Sequence, residues 1–167
     1  WGLTIPVDGS TNYTLVGNVA AWNNYKAKIG RYLLKSNGDA YKLNVGDSTI
    51  LDYNDATFDP NLGKVMVRIP RLSYMVVRDS AGRDTIWMTE EPVMRNVIEE
   101  QWIGAYLASY DGNKLRSMKG GTVAANRTIN VFWEQALINR KAFGLTNYTQ
   151  RILMVLIDLS NYRSLNS

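Results

Sequence analysis

Residues 101–140 read QWIGAYLASYDGNKLRSMKGGTVAANRTINVFWEQALINR, and a change of rhythm inside this stretch decides the fold class. From Trp102 to Ser109 the side chains alternate, with Trp102, Tyr106 and Ala108 on one side and Ile103, Ala105 and Leu107 on the other, the period-two pattern of a strand. Asp111-Gly112-Asn113 supplies residues that tolerate positive φ, so the chain is expected to return through Lys114–Met118 as a hairpin. Gly120-Gly121 then breaks the regularity, and Thr128 stands where a hydroxyl can accept from the free amides of a first helical turn. Beyond it Ile129, Phe132, Trp133, Ala136 and Leu137 recur at helical spacing, with Asn130, Glu134 and Asn139 expected to face out. A strand, a hairpin and an amphipathic helix laid on a sheet predict an α+β fold.

The chain before this stretch reads as almost entirely β. Trp1–Val7 and Tyr13–Val19 flank a turn-like Asp8-Gly9-Ser10-Thr11-Asn12, which makes a first hairpin. Ile29–Ser36 and Ala40–Leu43 flank Asn37-Gly38, a second. Lys64–Ile69 alternates Val65, Val67 and Ile69 with Lys64, Met66 and Arg68, a strand expected to be half exposed and ended by Pro70. Leu72–Arg78 and Thr85–Thr89 flank a longer loop at Asp79–Arg83, while Val93–Glu100 reads equally as strand or helical turn. After the first helix, Phe143-Gly144 predicts a glycine C-cap, and Thr146 or Asn147 a second N-cap. Gln150–Asn161 is apolar almost all round, the pattern of a helix buried on most sides, interrupted by Asp158. The organisation expected is a β-rich region over 1–92 and a region over 93–167, forming one continuous globular unit.

With 167 residues, 46% of them hydrophobic and 20% charged, the chain can bury a sizeable core and is short for two domains. The formal charge of +4 comes from scattered Lys and Arg; Lys26, Lys28 and Arg31, the densest group, read as a solvated strand edge rather than a nucleic-acid footprint. The sequence contains neither Cys nor His, which removes disulfides, thiol nucleophiles, Cys/His zinc sites and the usual neutral-pH acid–base. No apolar run approaches membrane-spanning length, so no membrane insertion is expected. The opening at Trp1 and the ending at Asn166-Ser167 read as a fragment of a longer polypeptide.

No catalytic residues, cofactor or metal site is predicted. Asp52, Asp55 and Asp59 lack the alternating ligands and closing Glu of a calcium loop, and read as turn-makers. Lys119-Gly120-Gly121-Thr122 has the letters of a phosphate loop in the wrong order. Glu90-Glu91 and Glu99-Glu100 are sequence neighbours that point apart on a strand, so neither pair is a glycosidase dyad by itself. Aromatic and Asn residues do cluster, at Trp22-Asn23-Asn24-Tyr25, Tyr53-Asn54, Tyr110–Asn113, Asn147-Tyr148 and Asn161-Tyr162. Tyr and Trp give rigid amphipathic area and Asn adaptable hydrogen bonds, so composition leaves a binding surface and a plain scaffold both open.

Several segments together resemble a family of fibre or tail proteins of Bacteroidetes-type phages and prophages, the crAss-like phages and their relatives. They are Trp1-Gly2 with Val16-Gly17-Asn18, Arg31–Leu34 with Asn37-Gly38, Asp47-Ser48-Thr49, Gly63–Pro70, Ile103–Tyr106, Leu115-Arg116-Ser117, Thr128 with its helix, and Leu165-Asn166-Ser167. The second half of that family is similar to the C-type-lectin-like fold shared with formylglycine-generating enzymes; without cysteine this chain lacks the chemistry of those enzymes. The resemblance implies a strand-hairpin-helix-helix unit of that kind, truncated here, in a virion structural protein that attaches to a host. Receptor-binding candidates are then Asn147, Tyr148 and Arg151 at the mouth of the second helix and Tyr162, Arg163 and Asn166 beyond it, against capping and packing roles for the same residues. The partners implied are further copies of the chain as homotrimer or homodimer, other virion proteins, and a bacterial surface glycan or protein, with no nucleic acid. A purely architectural virion module, a secreted carbohydrate-binding protein and a glycan hydrolase are the rival expectations.

Overall fold

The structure, a computed structural model, describes residues 1–7, 13–51, 59, 63–112, 114–139 and 144–162, with the backbone alone for 159, 161 and 162. Among these residues the fold is α+β, with eleven strands in open antiparallel sheets and three helices, two of them at the C-terminal end. The chain forms two compact units, each drawing sequence from both sides of residue 92. One takes Trp1–Lys28, Pro70–Gln101 and the chain from Asn147 onward, and the other takes Ile29–Ile69 and Trp102–Thr146.

The first unit is built on five strands: β1 (Gly2–Thr4), β2 (Thr14–Val16), β6 (Leu72–Arg78), β7 (Asp84–Thr89) and β8 (Asn96–Ile98), in the order β2-β1-β7-β6-β8. The first hairpin is present as expected, with Leu3 opposite Leu15. β1 also pairs with β7, placing Gly2 opposite Trp87. That crossing requires glycine: a Cβ at Gly2 would lie 2.9 Å from the Trp87 ring. The β6–β7 hairpin closes through Asp79, whose carboxylate accepts from the Ala81 and Arg83 amides at 2.9 Å, and Arg78 pairs with Asp84 at 2.7 Å beside it. The ladder sorts Leu3, Leu72, Met88 and Ile98 to one face, all buried.

The aromatic cluster at Trp22–Tyr25 is helical, not a turn: α1 spans Val19–Lys28 and carries Lys26 and Lys28 in its last turn. The Asn18 side chain accepts from the Ala21 amide at 3.0 Å and starts the helix. Trp22 and Tyr25, three residues apart on one face, meet Trp1 at ring centroid distances of 5.6 and 5.1 Å. The Tyr25 hydroxyl donates to the Pro70 carbonyl, and burial pushes its proton affinity well above the ordinary tyrosine value, with the Glu90 charge adding to it. These aromatics form core, which decides the choice left open at Trp22–Tyr25 for scaffold, and Lys26 and Lys28 are solvated as expected but on a helix, not on a strand edge.

The second unit contains β3 (Gly30–Leu34), β4 (Ala40–Lys42), β5 (Lys64–Ile69) and, from Trp102 on, β9 (Gln101–Gly104), in the order β4-β3-β5-β9, the hairpin β10 (Ala108–Asp111) with β11 (Lys114–Ser117), and α2 (Ile129–Leu137). Asn37-Gly38 turns the chain as predicted, with Gly38 at φ 101°. Leu33, Leu43, Leu51 and Val65 form the core, against which Tyr41, Ala105 and Tyr106 pack. Each such leucine contributes roughly 1.5–3 kcal/mol by leaving water. Backbone approach is tight at Gly63, where a Cβ would meet Leu33 Cγ at 2.7 Å and the Leu34 carbonyl at 2.9 Å.

Four local expectations change here. The predicted strand Trp102–Ser109 is two, β9 and β10, which lie in different sheets. β5 is not half exposed: Lys64, Val65 and Met66 are all buried. Thr128 does cap α2, accepting from the Val131 amide, but the helix ends with Ile138 as its cap, well before Gly144. On that helix Ala136 is buried while Ile129 and Trp133 remain largely exposed, and Asn139 points inward. In the first unit, α3 (Tyr148–Tyr162) buries one stripe, Leu153, Leu156 and Ser160, and leaves Val155 half exposed, so it is amphipathic rather than buried on most sides. Asp52 and Asp55, proposed as turn-makers, lie outside the described residues, as do Tyr53-Asn54 and Phe143.

Candidate functional site

α3 begins at a reciprocal cap that the sequence encodes directly. The Asn147 side-chain oxygen accepts from the Gln150 amide at 2.9 Å, and the Gln150 side chain accepts from the Asn147 amide at 3.1 Å, satisfying two amides that the first turn leaves open. Gln150 also donates to the Gln101 side chain at 3.2 Å. The Asn147 side chain is thereby committed to the helix start. Tyr148, 78% exposed, and Arg151, also exposed, stand free of that cap. With Ile152, Val155 and Leu156 they line a shallow, largely apolar depression of about 250 Å³ along one face of the helix.

The structure brings Asn147, Tyr148 and Arg151 together and places Tyr162 at the far end of α3, fourteen residues from Tyr148. At 1.5 Å per residue that is about 21 Å along the helix axis, so the backbone of Tyr162 lies apart from the group at the helix start. Arg163 and Asn166 lie outside the described residues. Trp22, Tyr25 and Tyr110 are used internally. Tyr110 stacks on Phe132 at 6.4 Å, with the Arg127 guanidinium 5.8 Å over its ring. Glu90 is engaged by Lys28 at 2.7 Å.

A second concave site, which sequence reasoning missed, lies within the other unit. A cavity of about 450 Å³ is lined by Lys64 and Met66 of β5, Ile103 of β9, Leu115, Arg116 and Ser117 of β11, Ala136 of α2, Asn139 beyond its end, and Gly144–Thr146. Lys64 is 5% exposed; burial first, then the charges of Arg116 and Lys114, lowers its pKa to about 8. Arg116 is held by Asp111 at 2.8 Å and by the Gly63 carbonyl at 2.6 Å. Asn139, 8% exposed, donates its side-chain N–H groups to the Leu115 and Ala136 carbonyls at 2.8 and 3.2 Å. Its carbonyl oxygen Oδ1 is buried and accepts from nothing among the described residues. The alternation of β5 gave Lys64 to the solvent side, and Asn139 sat on the presumed polar face of α2, so neither carried a sequence signal.

Among the described residues no cluster of three or more acidic side chains is placed to hold a metal, and no helix is long and apolar enough to cross a membrane. No protein-family model, curated protein or solved structure matches the chain.

Proposed function

We infer that the chain is a structural domain of a virion fibre or tail that displays a lectin-like surface for attachment to a bacterial host. The observation that carries this reading is the exposed Tyr148–Arg151 face at the start of α3, an aromatic ring and a guanidinium beside an apolar depression. Such a face suits a surface glycan or protein: the ring stacks on the apolar side of a sugar or side chain, and the guanidinium donates several hydrogen bonds in a fixed fork. Attachment is non-covalent, and copies on one fibre, as homotrimer or homodimer beside other virion proteins, raise a weak single-site affinity through effective concentration. The ordered sequence resemblance supplies the virion setting.

A purely architectural role is the second reading, and one observation favours it. On the sheet of the first unit Met75, Val77 and Val97 share the face opposite Leu72 and Met88, and all three are more than a third exposed. An apolar row of that kind suits burial against another structural protein.

Binding of the purified chain to cells of candidate gut Bacteroidetes separates the two. Saturable binding that a Tyr148→Ala/Arg151→Ala variant loses, while keeping its thermal midpoint, supports attachment through α3. Absence of binding by a folded, oligomeric chain across hosts favours the architectural role.

A further inference from the structure

α3 carries a stripe of side chains that neither its cap nor its packed face uses. Tyr148, Arg151, Val155 and Asp158 recur at intervals of three, four and three residues, and all four are exposed, while Leu153, Leu156 and Ser160 bury the other side of the helix. That alternation of three and four keeps a seam on one side of a helix, as in a coiled coil. Val155 is 50% exposed and the partly exposed Ile152 lies beside it, so the middle of the stripe is apolar. Arg151 and Asp158 stand at the two ends of that middle, and neither makes an ion pair among the described residues.

The order of these charges selects a partner. Seven residues fall only about 20° short of two full helical turns, so Arg151 and Asp158 lie on the same flank of α3. Two copies of α3 laid antiparallel about a two-fold axis between residues 154 and 155 bring those flanks together. Arg151 of each copy then stands beside Asp158 of the other, and the axis makes the pair twice. A parallel arrangement sets Arg151 beside Arg151 and Asp158 beside Asp158, which is repulsive. The charges are therefore self-complementary in one orientation only. As exposed groups they fix orientation and register, and the burial of Val155 and Ile152 supplies the attraction.

We propose that α3 pairs antiparallel with α3 of a second copy of this chain, through Val155 and Ile152 and two Arg151–Asp158 ion pairs. The contact is about 20 Å long, small beside the roughly 1,200–2,000 Å² of standard interfaces, so the dimer is reversible. It covers Arg151 and the apolar depression, and so guards the face proposed for attachment and releases it on dissociation. The guarding role rests on the attachment reading; the pairing itself does not.

Sedimentation equilibrium of the full chain at low salt, from micromolar to millimolar concentration, tests the pairing. The wild type is expected to show a monomer–dimer equilibrium. Arg151→Asp and Asp158→Arg, both at exposed positions, should each weaken the dimer about tenfold or more, because each sets like charges across the axis. An equimolar mixture of the two variants should dimerise again, since one carries only acids at these two positions and the other only bases. The exchanged double variant Arg151→Asp/Asp158→Arg should also recover the wild-type dimer. A wild-type chain that stays monomeric at millimolar concentration overturns the proposal. So does a single variant that dimerises as tightly as the wild type, or a mixture that stays monomeric. Asp158→Arg leaves Tyr148 and Arg151 in place, so its binding to cells reads attachment separately: a variant that no longer pairs and still fails to bind cells refutes attachment through α3 while the pairing stands.

Discussion

Replacing Lys64 by Met keeps the reach of the side chain and removes its charge, and burial fixes how the effect on stability changes with pH. Folding brings the Lys64 pKa from 10.5 down to about 8, with desolvation the larger cause and the Arg116 and Lys114 charges the smaller. Between those values the unfolded chain holds a proton that the folded chain has released. Unfolding free energy therefore rises with pH across this window. Below about pH 8 the folded state carries the whole cost of the buried ammonium, and above 10.5 it carries none. The change corresponds to on the order of 3 kcal/mol. Urea unfolding of both proteins from about pH 7 to about 11 gives the difference directly, because the remaining lysines and tyrosines are common to both. The wild type should gain on Lys64→Met by about 3 kcal/mol over this range, most steeply between 8 and 10.5. The pH-dependent part isolates the charge, whereas the offset at pH 7 also contains the packing of the methionine. A difference that stays flat, or that falls as pH rises, refutes the placement of Lys64 in the interior.

Other substitutions test other parts of the fold. Leu33→Ala in the core of the second unit should cost about 2–5 kcal/mol in urea unfolding, the range for a buried leucine whose cavity cannot collapse. Gly63→Ala should destabilise by about 1–3 kcal/mol, since the new methyl would meet Leu33 and the Leu34 carbonyl; an unchanged midpoint would show that the backbone can open there. Asn147→Ala removes the α3 cap and should cost about 1 kcal/mol with a loss of helical circular dichroism, and Tyr148→Ala should change stability by less than about 0.5 kcal/mol. The Asp47 carboxylate accepts from the Thr49 amide and hydroxyl and from Lys119, which hold its pKa near 2. Its contribution is present above the ordinary aspartate range and lost as pH falls through about 2, so its side-chain carbon resonance should titrate near pH 2 in the wild type and move up when Thr49 is replaced by Ala.

Much of the fold was legible where a short stretch carries its own cause. Asn37-Gly38 and Asp79–Arg83 set hairpins because their residues satisfy turn geometry locally, and Thr128 and Asn147 announce helices because the hydroxyl or amide serves amides within the next turn. α1 escaped notice for the opposite reason. VAAWNNYKAK has little amphipathic rhythm, and what holds it is the burial of Trp22 and Tyr25 against Trp1, a residue distant in sequence. The candidate site divides in the same way. Asn147, Tyr148 and Arg151 are neighbours by helix geometry and could be read together, whereas Lys64, Arg116 and Asn139 line one cavity only because β5, β11 and the end of α2 converge there.

By itself the sequence determined the α+β class, the hairpins, the caps of α2 and α3 and the exclusion of thiol and imidazole chemistry, since each depends on residue type or on spacing within a few positions. The tertiary structure decided which alternating strand is covered on both faces, that the strand read over Trp102–Ser109 divides between two sheets, and which helix face stays in water. Those outcomes depend on what packs against a residue from far along the chain. A period of two or 3.6 gives the direction of a side chain but not its neighbour, which is why a lysine read as solvent-facing became the most buried charge of the second unit's cavity.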